Sequence, residues 1–339
     1  MNIFKKPVFW GIAYGAALTA CTVYILLDAF VIPRTYAVLD TTPSFAASPK
    51  SGNSSRTATN SNSSNDNNTA DNSSETSTEN ISAESKESDT ESQIQTPIIT
   101  ENSYSDENIT ITLKQYRVNN TTIYAADIQL TDIQYLRTAL AYNTYGKNIT
   151  QNTSEIAANN NAILAINGDY YSARNGYVIR NGVVLRETSS DGSQEDLVIY
   201  EDGTFQIINE ADTTAQELLN KGAYQVLTFG PSLVTNGSIS VGVSDEVGRA
   251  MASNPRTAIG QIDDLHYVMV VSDGRTSDST GLSLYQLAEF MQSLDVKTAY
   301  NLDGGGSSTM YFNGKIINNP TTNGKKISER SVSDIVYIG

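Results

Sequence analysis

One cysteine, one histidine and one tryptophan are all that 339 residues hold of those three types, and each scarcity excludes chemistry. Cys21 lies inside the apolar N-terminal segment, so the remainder of the chain has neither a disulfide nor a thiolate. A Cys/His zinc site needs several such ligands. A Ser-His-Asp triad would have to use His266, which sits in an alternating stretch and reads as a structural or surface residue. Basic residues are also in deficit: 22 Lys and Arg against 37 Asp and Glu give a net charge of −15. That balance argues against nucleic acid as a partner, because phosphate backbones are bound by clustered Lys and Arg. Carboxylates, hydroxyls, amides and a few arginines are left to carry any reaction.

The composition is uneven along the chain. An apolar run from Val8 to Ile32 would be roughly 37 Å long as a helix, and about 20 residues suffice to span a bilayer. Signal-peptide apolar regions are usually about 7–15 residues. The run therefore reads as a membrane anchor within residues 1–40, with Asp28 near enough to its outer end to reach the interface. Lys5 and Lys6 precede it, which places the N-terminus in the cytoplasm and the rest outside, a single-pass arrangement in the cell membrane. The rival is a long signal peptide cleaved after Thr35-Tyr36-Ala37. Residues 41–101 are dominated by Ser, Thr, Asn, Asp and Glu. Such a chain cannot offset its ordering entropy by burial, so it reads as a disordered spacer with a mean reach of ~40 Å.

Residues 102–339 read as one globular domain. Ile109–Val118 and Thr122–Leu130 are strands joined at Asn119-Asn120. Similar pairs recur around Asn181-Gly182 and Asp202-Gly203, and at Ala258–Ile262 with His266–Ser272. Further strands are expected at Ala162–Ile166, Tyr224–Phe229, Lys297–Asn301, Thr309–Phe312 and Val332–Ile338. Leu284, Leu287, Ala288, Met291 and Leu294 fall on one face of a helix. Shorter helices are expected at Ile133–Tyr142, Ser154–Asn159 and Thr213–Leu219. Many strands with a few interspersed helices predict an α+β, mixed sheet-rich single domain following the anchor and spacer.

Four stretches place polar residues beside glycines at strand ends: Ala165-Ile166-Asn167-Gly168-Asp169-Tyr170-Tyr171, Asn254-Pro255-Arg256-Thr257-Ala258-Ile259-Gly260, Val271-Ser272-Asp273-Gly274-Arg275, and Tyr300-Asn301-Leu302-Asp303-Gly304-Gly305-Gly306-Ser307-Ser308-Thr309-Met310. In this order they resemble the phosphodiester glycosidases, whose animal member removes N-acetylglucosamine from a phosphodiester on mannose. Bacterial members are often labelled exopolysaccharide biosynthesis proteins. The resemblance runs from about Asn108 to Gly339, and Asp303 with its glycines and serines is its most specific part. Asp169 departs from the pattern, since many relatives have glycine there. The resemblance also implies that the charged pair Glu329-Arg330 lies close to the active centre.

The residue chemistry runs beside that resemblance. Three consecutive glycines permit left-handed backbone and close approach to a ligand, and their N–H groups suit an anion-binding concavity. Gly304, Gly305, Gly306, Ser307 and Ser308 are therefore candidate phosphate binders, although Asp-Gly is also a common tight turn. Asp303 is the candidate nucleophile or base at an anomeric carbon, with Asp273 and Glu329 as further catalytic carboxylates. Arg256, Arg275 and Arg330 are candidate phosphate ligands, because a guanidinium binds phosphate oxygens in a bidentate manner. Asn167 and Asp169 are candidate sugar contacts, and Tyr170 and Tyr171 either stack on the sugar or fill the core.

These assignments imply an extracytoplasmic hydrolase that releases a sugar from a sugar-1-phosphodiester resembling N-acetylglucosamine-1-phosphodiester. Its partner would be a cell-surface glycan or phosphopolysaccharide. Asp303, Asp273 and Asp169 would alternatively offer hard oxygen ligands to a divalent cation, Ca or Mg. The reading from another class is a tethered, non-catalytic module that binds or assembles wall polysaccharide.

Overall fold

In the computed structural model, residues 7–39, 96–190, 192, 194–243 and 253–339 are described. They belong to one compact unit made of Met1–Thr42 and Gln95–Gly339. Lys5, Lys6 and residues 40–95 lie outside the described residues; of the spacer expected at 41–101, residues 96–101 are described, and Ile98–Ile99 is a strand paired with Ser103–Ser105.

Period-two alternation builds the central sheet. Along His266–Ser272, Val268 and Val270 enter one apolar cluster while Met269 and Val271 enter another. Ala258 and Ile259 divide in the same way, as do Ala299 and Tyr300. Successive side chains of a strand point to opposite faces, so both faces of this sheet are covered. It has nine strands in the order Ser238–Ile239, Ser232–Thr235, Thr298–Leu302, Arg256–Asp263, His266–Ser272, Thr121–Leu130, Ile109–Val118, Ser103–Ser105 and Ile98–Ile99. Every ladder in it is antiparallel.

Helix Leu284–Gln292 covers one face with Leu284, Leu287, Ala288 and Met291. Ser283 and Gln286 close a capping box at its start, each satisfying a backbone donor of the other. Gly260 admits the helix, because a Cβ there would stand 2.9 Å from Met291 Cε. The other face packs on two five-stranded antiparallel sheets. One runs Lys315–Ile316, Met310–Phe312, Leu164–Asn167, Asp334–Ile338, Leu136–Leu140. The second runs Val183–Arg186, Val178–Arg180, Ala223–Leu227, Glu195–Tyr200, Phe205–Asn209. Among the described residues strands far outnumber helices, so the sheet-rich α+β class read from the sequence holds.

Two segments differ from the sequence reading. Ile133–Tyr142 is not a helix: Ile133–Tyr135 is a single 3₁₀ turn, and Leu136–Leu140 pairs residue for residue with Asp334–Ile338. Its apolar pattern is short enough to serve either structure, and the distant partner decides. The second difference is at the N-terminus. Pro7–Phe30 is helical, and Trp10–Phe30, with mean hydropathy 1.6, is long and apolar enough to cross a membrane. The hydroxyls of Thr19 and Thr22 donate to the carbonyls of Gly15 and Leu18 within the helix. The chain does not then pass directly into a spacer. Arg34–Val38 pairs antiparallel with Thr144–Lys147, Tyr36 meets Tyr145 at 5.7 Å, and Asn148 Nδ2 donates to the Ile32 carbonyl at 3.0 Å. Gly146 makes this possible, since a Cβ there would overlap the Arg34 carbonyl.

Candidate active site

Strands Leu164–Asn167, Arg256–Asp263 and Thr298–Leu302 bring three of the four polar motifs together, and one amide joins them. Asn167 Nδ2 donates to the Asp303 carbonyl at 2.6 Å; its Oδ1 accepts from Thr257 Oγ1 at 2.8 Å and from Thr309 N–H at 3.2 Å. The side chain is fully buried. The structure thus places Asn167 beneath the site as a brace, where the sequence reading had it touching sugar. Its bonding capacity is consumed by the protein.

Asp303 follows the end of its strand, anchored by its N–H to the Gly168 carbonyl at 3.2 Å. Its side chain is 13% exposed, so the carboxylate is enclosed but reachable. Arg330 Nη2 lies 3.1 Å from Asp303 Oδ2, and Arg330 also donates to Ser307 Oγ from Nε at 3.0 Å and Nη2 at 2.6 Å. Burial pushes the Asp303 carboxyl above the usual carboxylate range; Ser307, Arg330 and Arg174 oppose that shift.

The glycine bend wraps closely on its neighbours. Gly304 sits beside Arg256, whose Cδ would be 3.8 Å from an added Cβ, and a Cβ on Gly306 would meet Thr322 Oγ1 at 2.5 Å. Gly305 has φ +64° and lies under the Arg275 guanidinium. The bend's own N–H groups are largely spent: Gly305, Ser307 and Ser308 donate to the carbonyls of Pro255, Gly304 and Gly305. The backbone cradle expected for a phosphate is reduced accordingly.

The other sequence candidates occupy distinct places. Arg256 is buried and donates from Nε to the Leu282 carbonyl at 2.9 Å. Arg275 directs Nε and Nη2 to Asn254 Oδ1 and Nη1 to the Thr322 carbonyl at 2.6 Å. Asp273 accepts from the N–H and side-chain amide of Asn319 at 2.8 and 2.9 Å, and so anchors the loop carrying Asn318 and Asn319. Glu329 accepts from the N–H and hydroxyl of Ser154 in the first turn of helix Thr153–Asn159, whereas Arg330 bonds Ser307 and Asp303. Neither carboxylate joins Asp303. Ser308 is fully buried.

Asp169 is fully buried against Arg180 at 2.8 Å, and Arg180 also meets Asp334 at 3.0 Å. Sugar contact is closed to Asp169 by that burial. Tyr171 is buried against Tyr145, whereas Tyr170 is exposed and left-handed at φ 56°. Asp303, Asp273 and Asp169 keep separate partners, and among the described residues no three His, Cys, Asp or Glu side chains converge as a metal site would need.

Sequence reasoning missed Arg174 and Phe229. The Arg174 guanidinium carbon stands 4.0 Å above the Phe229 ring centroid. Arg174 belongs to no periodic element or glycine motif and Phe229 reads only as the end of the strand expected at Tyr224–Phe229, so the sequence carried no local signal that the two meet.

The description phosphodiester glycosidase attaches to the family model that matches residues 160–339. Over 199 residues the chain is 29% identical to the SPbeta prophage-derived uncharacterized protein YomE of Bacillus subtilis (strain 168), covering 57% of this chain and 30% of that protein. Over 173 residues it is 31% identical to N-acetylglucosamine-1-phosphodiester alpha-N-acetylglucosaminidase of Homo sapiens, covering 47% and 33%. The match spans about a third of the length of these curated relatives. The zebrafish catalytic domain of that glycosidase, auto-inhibited by its pro-peptide, superposes with a TM-score of 0.54 at 21% identity, covering 68% of this chain and 82% of that one. That likeness establishes the shared fold.

Proposed function

The chain belongs to the phosphodiester glycosidase family, and we propose that it hydrolyses the bond between the anomeric carbon of a sugar and the phosphate of a sugar-1-phosphodiester. The substrate class is one resembling N-acetylglucosamine-1-phosphodiester, carried on a cell-surface glycan or phosphopolysaccharide. The observation that carries this reading is the Asp303 carboxylate, enclosed yet reachable and held by Arg330 and Ser307 at the glycine bend.

The leaving group explains the economy of the site. A departing phosphate monoester is a weak base, so its oxygen needs little protonation and much charge neutralisation. The C1–O bond breaks with its electron pair on the phosphate oxygen, and water supplies the new oxygen at C1. Asp303 either attacks C1 or takes the proton of that water. Arg330 favours the ionised carboxylate that both routes require. Asn167 fixes the Asp303 backbone from below, and Asp273 fixes the loop at the site's edge.

The N-terminal helix, long and apolar enough to cross a membrane, supports an anchor, and Lys5 and Lys6 ahead of it in the sequence favour a domain outside the cytoplasm. A mature protein shortened by about 37 residues, the segment up to the Ala37 cleavage site, and released to the medium would replace the anchor with a signal peptide.

A panel of anomeric phosphodiesters, with and without N-acetyl groups, scored for released sugar, tests the activity. Release of none, with retained binding to an envelope polysaccharide, would replace the hydrolase with the non-catalytic module.

A further inference from the structure

We propose that Arg174, stacked across Phe229, is the residue that binds the anionic phosphate of the substrate, in a position set by Asp169. The proposal rests on the hydrolase reading for the identity of the anion, but not for the existence of the site.

The other arginines around the bend are committed elsewhere. Arg330 is engaged by Asp303, Ser307 and the Gly304 carbonyl. Arg275 is engaged by Asn254 and Thr322. Arg256 is buried, with its Nε on the Leu282 carbonyl. Arg174 differs from all three. It is exposed, and among the described residues its guanidinium makes the Phe229 contact and no hydrogen bond. Its backbone N–H donates to the Tyr171 carbonyl at 3.3 Å. A guanidinium resting its face on an aromatic ring keeps its in-plane N–H edge for oxygen acceptors, and two parallel N–H groups match two phosphate oxygens.

The placement is built from the buried side. The Asp303 N–H donates to the Gly168 carbonyl, so the segment leading to Arg174 departs beside the reacting carboxylate. Asp169 Oδ1 accepts from the Tyr171 N–H at 3.1 Å, and its Oδ2 accepts from the Thr228 N–H at 2.9 Å. One carboxylate therefore holds both the Tyr171–Ala173 turn preceding Arg174 and the residue preceding Phe229. Arg180 compensates its buried charge. Phe229 in turn adjoins the Gly230 carbonyl that accepts from Asn301 Nδ2 at 2.7 Å, two residues before Asp303 in the chain. Arg174 also favours the ionised form of Asp303, after Ser307 and Arg330 and against burial. A cation here neutralises the second negative charge that develops on phosphate as C1–O breaks, so it acts on the transition state as well as on binding.

The test uses the full-length protein with Arg174→Ala, Arg174→Lys and Phe229→Leu. Two quantities are read: kcat/KM on the best phosphodiester of the panel, and affinity for inorganic phosphate by calorimetry. With unchanged melting temperature, Arg174→Ala should lower kcat/KM by about 100-fold and weaken phosphate binding at least about 10-fold. Arg174→Lys should recover part of both, and Phe229→Leu should fall between wild type and Arg174→Ala. Phosphate affinity unchanged in Arg174→Ala, or no phosphate binding by wild type, overturns the proposal. Wild type that binds phosphate through Arg174 yet turns over no phosphodiester removes the hydrolase reading and leaves the anion site standing.

Discussion

Arg330 Nη2 lies 3.1 Å from Asp303 Oδ2 although the two residues are 27 positions apart. This ion pair joins the last strand's approach to the glycine bend and holds the carboxylate proposed to react.

Replacing Asp303 with Asn keeps the shape and removes the charge. Sugar release from a sugar-1-phosphodiester should fall by about 10³-fold or more, the scale of losing a nucleophile or its base. Melting should stay level or rise, because burial already disfavours the charged form. Wild-type turnover by this variant would remove Asp303 from the reaction.

Arg330→Gln should move the pH profile. Asp303 already titrates above the ordinary carboxylate range because it is buried, and Arg330 restrains that rise. Activity needs the ionised carboxylate, so it grows as pH increases through this pKa. Without the guanidinium the acid limb of kcat/KM should shift further to alkaline pH, with about 10–100-fold loss at the optimum. An acid limb that stays in place argues that another group controls it.

Asp196 offers a stability test away from the site. It is fully buried and faces Glu210; burial first, then the Glu210 charge, push its carboxyl up to about 10. A carboxyl raised in the folded state contributes stability that is complete below its unfolded value of about 4 and is lost as pH rises toward the folded one. Wild-type melting temperature should therefore decline across this window, and Asp196→Asn should decline less. Parallel curves for the two proteins would show that Asp196 does not hold its proton.

Asn167→Ala strands the Asp303 carbonyl, the Thr257 hydroxyl and the Thr309 N–H in the interior. Unsatisfied buried groups are costly, and a loss of about 2–4 kcal/mol is expected. Urea unfolding should show a lower midpoint with an unchanged slope. A change under about 0.5 kcal/mol, the ordinary range of surface substitutions, would deny Asn167 its bracing role.

Gly146→Ala puts a methyl group where the Arg34 carbonyl sits. Strand Arg34–Val38 should detach, giving faster amide exchange at those residues while the central sheet remains protected. Unaltered exchange there would mean the strand is not held by this contact.

What the sequence determined by itself is local. Asn119-Asn120, Asn181-Gly182 and Asp202-Gly203 turn the chain because these residues tolerate left-handed backbone or, as at Asp202, cap the turn, with φ of 49° and 53° at the first pair. Helix Leu284–Gln292 is written in its apolar spacing and its Ser283 cap, and the Asp303 bend in its glycines. Tertiary structure decided the rest, because chemically identical groups differ only in the partners that reach them. Leu136–Leu140 became a strand through Asp334–Ile338. Asp273 was taken up by Asn319, 46 residues on, and Glu329 by Ser154, 175 residues back. Asp303 kept a reachable carboxylate at the bend, and among the described residues Arg174 alone of the arginines around it kept a guanidinium without a hydrogen bond. Which charge is spent and which stays available depends on contacts between residues far apart in the chain, and residue order alone does not encode those contacts legibly.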